Sequence, residues 1–244
     1  MDALIMAAGR GSRLGAHTDD RPKSLIDLGG ISPLELQLDQ LAERGVEHVV
    51  IVTGYRRATV EAAARRRAGD RLTIEAVWNP FWSVTNVIGS AWMAREHLTR
   101  SFVYLHADTV FEGSILDDLL AAPGPAALPI DFRPCEPEQM KARVEGDRVV
   151  HLSKELPAEQ TAGEFIGIGV FHEAALAPIR TGLDAVLDDG GLTAYFEGAL
   201  NHAIDAGLVV HPVPTRGRAW TEIDFEEDLE LARSLLPRLR PAPD

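Results

Sequence analysis

Glycines and cations crowd the amino-terminal part of this chain in an order that suits phosphate chemistry. The apolar run Leu4-Ile5-Met6-Ala7-Ala8 leads into Gly9-Arg10-Gly11-Ser12-Arg13, and Arg21-Pro22-Lys23-Ser24-Leu25 follows. This reads as a buried strand, a glycine-rich turn and two cations that reach one polyphosphate. Without a Cβ, Gly9 and Gly11 let backbone N–H groups approach an anion, with Ala7, Ala8 and Ser12 alongside. Arg13 can fork onto phosphate oxygens, and Lys23 adds a point charge on a segment stiffened by Pro22. Two other phosphate loops fit badly. The dinucleotide fingerprint needs a third glycine where Leu14 stands, and no G-K-[ST] frame is present.

Transfer between phosphoanhydrides needs an in-line nucleophile, neutralised charge and usually a divalent metal. Carboxylates at strand ends would hold that metal. Tyr104-Leu105-His106-Ala107-Asp108 places Asp108 just past a strand, and Trp220-Thr221-Glu222-Ile223-Asp224 offers Asp224 with Glu222 on the same side. Mg²⁺ takes one or two carboxylates, with phosphates and water completing an octahedron, so Asp108 and Asp224 are the expected metal pair. Each also has a structural alternative: Asp108 as a turn residue, Asp224 as the N-cap of the helix after it.

The run L-I-M-A-A-G-R-G-S-R-L followed by R-P-K-S-L resembles the opening of the sugar-phosphate-type nucleotidyltransferases, most closely the cytidylyltransferases acting on phosphocholine, inositol phosphate and small phosphonates. The resemblance extends over nearly the whole chain. It implies transfer of CMP from CTP to a small phosphate or phosphonate with release of pyrophosphate. It also implies metal binding by Asp108 and Asp224, with Asp108 at the nucleotide as well. Arg13 and Lys23 would carry catalysis. The segment Asn79-Pro80-Phe81-Trp82-Ser83-Val84-Thr85-Asn86, with Gly89-Ser90, is similar to the branch's base-and-ribose segment. Ser90 and Ala8 are the candidates for cytosine, and Asn86 for ribose or acceptor. Capping by Asn86 and burial of Ser90 are the alternatives.

On the acceptor side, Met140-Lys141, Lys154 and Gly163-Glu164-Phe165-Ile166-Gly167 are similar to elements of the same branch. Lys141 or Lys154 would orient the acceptor phosphate. Asp131, at a strand end, suits an acceptor amine or a second metal. Tyr195, Trp220 and Glu222 supply part of a cage for a quaternary ammonium, although Tyr195-Phe196-x-x-x-Leu200 also fits a helix core. His106 is expected to make a structural hydrogen bond, and Arg56-Arg57 and Arg65-Arg66-Arg67 to be solvated.

Short apolar runs alternating with helical patterns must position these groups. Strands are expected at 3–7, 48–53, 73–77 and 102–105, with helices at 33–44, 58–67 and 87–97 between them. Ser32 is the expected N-cap of the first helix. Helices of about ten residues between strands predict βαβ units. The fold class is therefore α/β: a Rossmann-like, open, mostly parallel sheet of the nucleotide-diphospho-sugar transferase type, with a small inserted substrate lobe near 131–165. The second half predicts strands at 126–131 and 164–171, a hairpin of 141–144 with 148–152, a helix at 192–206, an extended 208–213 and a closing helix at 226–236. One domain spans 1–237, and 238–244 is a frayed tail.

The 244 residues are 45% apolar and carry a formal net charge of −13. That acidity argues against nucleic acid and anionic membranes as partners, so the basic loop is a local device. Cys135 is the only cysteine, which excludes an intrachain disulfide and fits a cytoplasmic location. No secretory leader and no membrane span are expected. The expected ligands are CTP, Mg²⁺ and a small phosphate or phosphonate, and a homodimer is compatible with the resemblance. The competing reading is uridylyl or thymidylyl transfer to a hexose 1-phosphate. A non-catalytic nucleotide sensor and a nicotinamide-dependent oxidoreductase are more distant alternatives.

Overall fold

Valine, isoleucine and leucine runs in the first half form strands that are covered on both faces, except at the half-exposed edge of the sheet. In the computed structural model, which describes residues 1–239, β1 (Asp2–Ala7), β2 (His48–Thr53), β3 (Thr73–Trp78) and β4 (Phe102–His106) pair in parallel in the order β3-β2-β1-β4. Ile5, Val49, Val52 and Leu105 are fully buried. Each such side chain contributes roughly 1.5–3 kcal/mol relative to exposure. Helices α1 (Pro33–Glu43), α2 (Arg57–Ala68) and α3 (Val87–Met93) fill the crossovers. Ser32 caps α1 through a capping box with Glu35, and Pro33 opens its first turn. The third helix is shorter than its pattern suggests: a single 3₁₀ turn, Arg95–His97, takes over after α3.

The second half continues the sheet with antiparallel strands. It comprises β5 (Thr109–Phe111), α4 (Gly113–Leu120), β6 (Ala126–Asp131), β7 (Lys141–Glu145), β8 (Arg148–Ser153), β9 (Gly163–Phe165), β10 (Ile168–Phe171), α5 (Glu173–Asp188), α6 (Phe196–Asp205), β11 (Val210–Pro214), β12 (Trp220–Glu222) and α7 (Glu226–Leu239). The sheet order runs β3-β2-β1-β4-β10-β6-β9-β7-β8, with β11 parallel to β6, and β12 pairs with β5 in a small second sheet.

Other expectations for the second half need correction. The single strand expected at 164–171 is two. Gly167 adopts φ +77°, and a Cβ there would lie 2.6 Å from the His106 ring, so the chain kinks: β9 and β10 both pair with β6, but β10 otherwise joins β4 and β9 joins β7. The helix expected at 192–206 begins only at Phe196, because the preceding segment is drawn onto the 79–90 region: Asn86 N–H donates to Leu192 O and Ile88 N–H to Ala194 O. Helix α5 was hidden by Pro178 and Gly182, which break the apolar pattern that would announce it. At the end of the chain, Arg238 and Leu239 belong to α7 rather than to a tail, and 240–244 lie outside the described residues. Among the described residues no helix is long and apolar enough to cross a membrane.

Candidate active site

The Gly9–Arg13 loop leaves the carboxyl end of β1, where open α/β sheets bind ligands. Gly11 holds φ +78°, and a Cβ on it would sit 2.6 Å from the Lys23 Cβ. The close approach docks the lysine segment on the loop, with Lys23 N–H donating to Arg10 O at 3.2 Å. Lys23 is buried, and its ammonium lies 2.8 Å from Asp108 and 2.5 Å from Asp224. Arg13 reaches the other oxygen of Asp224 at 3.2 Å. Burial alone would lower the Lys23 pKa, but the Asp108 and Asp224 carboxylates outweigh it and raise it above the ordinary lysine range. Burial alone would raise Asp108, and Lys23 outweighs that too, holding the carboxyl below its usual value.

Neutral amides place these acids. Gln37 on α1 donates from Nε2 to His106 O at 2.7 Å and Thr109 O at 2.8 Å, and Gln40 donates to Phe111 O at 2.8 Å. They pin the turn that presents Asp108. The β5–β12 pair sets Glu222 opposite Thr109, and Ile223 N–H donates to Asp108 O at 3.1 Å. Asp228 accepts from Asp224 N–H at 3.0 Å and Phe225 N–H at 2.8 Å. That carboxylate caps α7, so Asp224 is released from the capping role and turns to the cations.

One oxygen of Asp108 is buried without a hydrogen-bond partner. Ligand atoms of His106, Asp108 and Glu222 lie within 4.8 Å of one another. This donor set, two carboxylates and an imidazole beside Asp224, is compatible with a divalent cation. Glu222 faces the open cleft, yet the surrounding walls and the Asp108 carboxylate push it up to about 7. His106 also meets the Tyr104 hydroxyl at 2.9 Å, the structural bond expected of it.

On the other side of the loop, Asn86 caps α3 through Val87 N–H at 2.8 Å and donates to Thr193 O at 3.3 Å. Ser90 is buried and accepts from Asn79 Nδ2 at 3.0 Å. Both structural alternatives for this pair are therefore realised, and both residues still line the cleft.

The acceptor end is richer in acid. Arg133 bridges Asp131 and Glu164, each at 2.8 Å, while Thr215 and Trp220 also donate to Asp131 at 2.6 and 3.2 Å. Burial pushes Glu164 up to about 7 despite Arg133. Lys154 stands 5.0 Å over the Tyr195 ring. Lys141 departs from expectation: its ammonium is buried and donates to Pro137 O at 3.0 Å and to Lys154 O. It ties the hairpin base together and does not line the cleft. Phe196 is fully buried in the core, whereas Tyr195 opens onto the cleft.

One continuous cleft of about 970 Å³ collects Ala7, Ala8, Gly9, Gly11, Ser12, Arg13, Lys23, Asn86, Ser90, Asp108, Glu222 and Asp224 at one end, and Asp131, Lys154, Glu164, Tyr195 and Trp220 at the other. Sequence reasoning missed two residues of its wall. Arg133 follows Asp131 immediately, and an arginine beside a strand-end carboxylate was the available signal. Glu197 is buried, with one oxygen lacking a hydrogen-bond partner and its carboxyl raised by burial. On its own, an acid at the start of α6 reads as a surface residue.

Residues 3–193 match the family model of the MobA-like NTP transferase domain. The chain is 34% identical over 235 residues to the CMP-5'-(3-aminopropyl)phosphonate synthase of Streptomyces rubellomurinus, covering 92% of this chain and 35% of that one. It is 28% identical over 238 residues to the bifunctional IPC transferase and DIPP synthase of Rubrobacter xylanophilus, covering 96% and 51%. The chain thus spans about a third to a half of the length of these relatives. The solved CTP:phosphocholine cytidylyltransferase of Streptococcus pneumoniae superposes with a TM-score of 0.80 at 22% identity, covering 96% of this chain and 98% of that one. The fold it shares is the nucleotide-diphospho-sugar transferase type. With the loop, the shared lysine and the paired acids all at the strand ends, the chain belongs to the MobA-like NTP transferase domain family, a family of nucleotidyltransferases.

Proposed function

We propose that this chain transfers CMP from CTP to a small phosphate monoester or phosphonate, with Mg²⁺ as cofactor and pyrophosphate as the second product. The observation that carries the reading is the Lys23 ammonium shared by Asp108 and Asp224 beside the Gly9–Arg13 loop. A phosphonate acceptor and CTP are supported by the name of the Streptomyces relative. In the reaction, an acceptor oxygen forms a bond to the α-phosphorus. The bond from that phosphorus to the bridging oxygen breaks, and pyrophosphate leaves with the electron pair. The acceptor is ionised at neutral pH, so no general base is needed. Arg13 and Lys23 neutralise charge on the departing pyrophosphate. Asp108, whose free oxygen has no protein partner, would hold Mg²⁺ with Asp224, next to Glu222. The ion supplies positive charge to the triphosphate oxygens when bound. Lys154 and Arg133 face the acceptor phosphate from the lobe side.

The test is a pyrophosphate-release screen of small phosphates and phosphonates against four nucleoside triphosphates, with and without Mg²⁺. Turnover with CTP and a phosphonate or phosphate monoester is the expected result. Turnover only with UTP or dTTP and a hexose 1-phosphate replaces this reading with its competitor, and no release with any pair sets the enzymatic reading aside.

A further inference from the structure

We propose that Asn79 sets the pyrimidine preference of the cleft by dictating which way the Ser90 hydroxyl proton points. This rests on the cytidylyl reading above and adds to it a residue that selects the base.

Asn79 directly follows β3, behind the cleft wall, and is 1% exposed. Its backbone N–H donates to Thr53 O at 2.8 Å, which fixes the residue against the sheet. The side-chain amide has one possible orientation. Phe81 N–H can only donate, so the atom it meets at 2.8 Å is Oδ1. The amide NH₂ therefore faces Thr85 Oγ1 at 3.2 Å and Ser90 Oγ at 3.0 Å. Thr85 gives its own proton to Phe81 O at 3.0 Å and can only accept from Asn79. Each amide hydrogen is thus assigned to one hydroxyl.

Ser90 is left as an acceptor on the Asn79 side, with its own proton uncommitted. Among the described residues that proton has no acceptor, and Ser90 lines the cleft at 4% exposure. A hydroxyl held this way is a donor toward whatever enters. Cytosine carries a bare lone pair at N3, whereas uracil carries a hydrogen there. A fixed donor facing that edge pairs with cytosine and leaves two hydrogens opposed against uracil. Sites built around a substrate hydrogen bond reject the mismatched partner strongly, because their own polar group is left unpaired. Asn79 touches no substrate in this arrangement. It is a positioning residue.

The decisive variant is Asn79→Asp. An ionised aspartate still accepts from Phe81 N–H but has no hydrogen to give. It takes the Ser90 proton and turns a Ser90 lone pair to the cleft, where uracil N3–H can use it. The measurement is kcat/KM for CTP and for UTP with one acceptor, by pyrophosphate release, at about pH 8, above the range of all but the most deeply buried carboxylates and below the ionisation of uracil N3. Wild type is expected to favour CTP by at least about a hundredfold. Asn79→Asp is expected to cut that ratio by about a hundredfold, partly through a gain on UTP, which loss of structure alone does not produce. Ser90→Ala, a mild change in a helix, should cut it by about tenfold, almost all on CTP. Thermal melts show whether each variant folds. A folded Asn79→Asp that keeps the wild-type ratio overturns the proposal while leaving cytidylyl transfer intact. If that variant does not fold, Ser90→Ala decides, and an unchanged ratio there overturns it equally. Wild-type preference for UTP overturns both this assignment and the reading beneath it.

Discussion

The two ends of the cleft handle charge in opposite ways. At the triphosphate end the two aspartates already have cations: Lys23 lies between Asp108 and Asp224, and Arg13 completes Asp224, with Glu222 beside Asp108. At the acceptor end Arg133 is divided between Asp131 and Glu164, and Glu197 is buried with one oxygen unpartnered. The balance shows in the acids themselves. Lys23 holds Asp108 below its usual range, whereas burial raises Glu164, Glu197 and, beside Asp108, Glu222, none of which Lys23 or Arg13 pairs. One end is pre-paired for an anion with its cation. The other keeps a surplus of carboxylate, so protonation state matters there.

The largest expected effect tests the pre-paired end. Lys23→Ala should lower turnover by about 10²–10³-fold, the usual cost of one charge-stabilising donor, with Asp108→Ala comparable. Pyrophosphate release by either folded variant at the wild-type rate would remove that residue from the mechanism. A smaller effect sharpens the contrast within the acceptor end. Lys154→Ala should raise the acceptor KM by about tenfold, the value of one charge-assisted contact, and leave the KM for CTP unchanged. Lys141→Met should do the reverse. It leaves the acceptor KM near wild type but costs about 1–3 kcal/mol of stability by orphaning the Pro137 and Lys154 carbonyls. Equal shifts in acceptor KM for the two variants would erase the distinction drawn between these lysines.

The smallest effect concerns pH. Burial pushes Glu164 from the ordinary 4.5 of a glutamate to about 7 in the folded chain, so the native state keeps its proton to higher pH than the unfolded chain does. Between those values the native state binds more protons, and stability from this group falls as pH rises. Glu164→Gln should flatten that decline by a few degrees of melting temperature. A melting profile as steep as wild type across the same window would show that Glu164 does not titrate there.

The first half of the fold was legible because its signals are local. Ser32-Pro33, the Val-Ile runs and the Gly9–Arg13 loop each declare themselves within a few residues. The candidate site was legible for the same reason wherever a residue ended a strand, as Asp108 and Asp224 do. What stayed hidden depends on distant chain. The break at Gly167 is set by His106, Lys141 is consumed by carbonyls that only the folded hairpin brings near, and Asp224 is free because Asp228 caps in its place. Buried amides such as Gln37 give no advance sign, since glutamine usually faces water.

The hairpin that frames the acceptor joins the sheet at one short seam and docks on the core. Strand β9 meets β6 through only the pairs Ile130↔Phe165 and Asp131↔Glu164, and meets β7 through Lys141↔Glu164 and Ala142↔Gly163. The stretch between Asp131 and Gly163 thus leaves and rejoins the sheet at adjacent residues, while Leu152 is clamped to Asn201 in both directions and Ala142 and Val149 are buried in the core. Any reshaping of that loop has to keep its docking face, since the same residues close the core beneath the cleft.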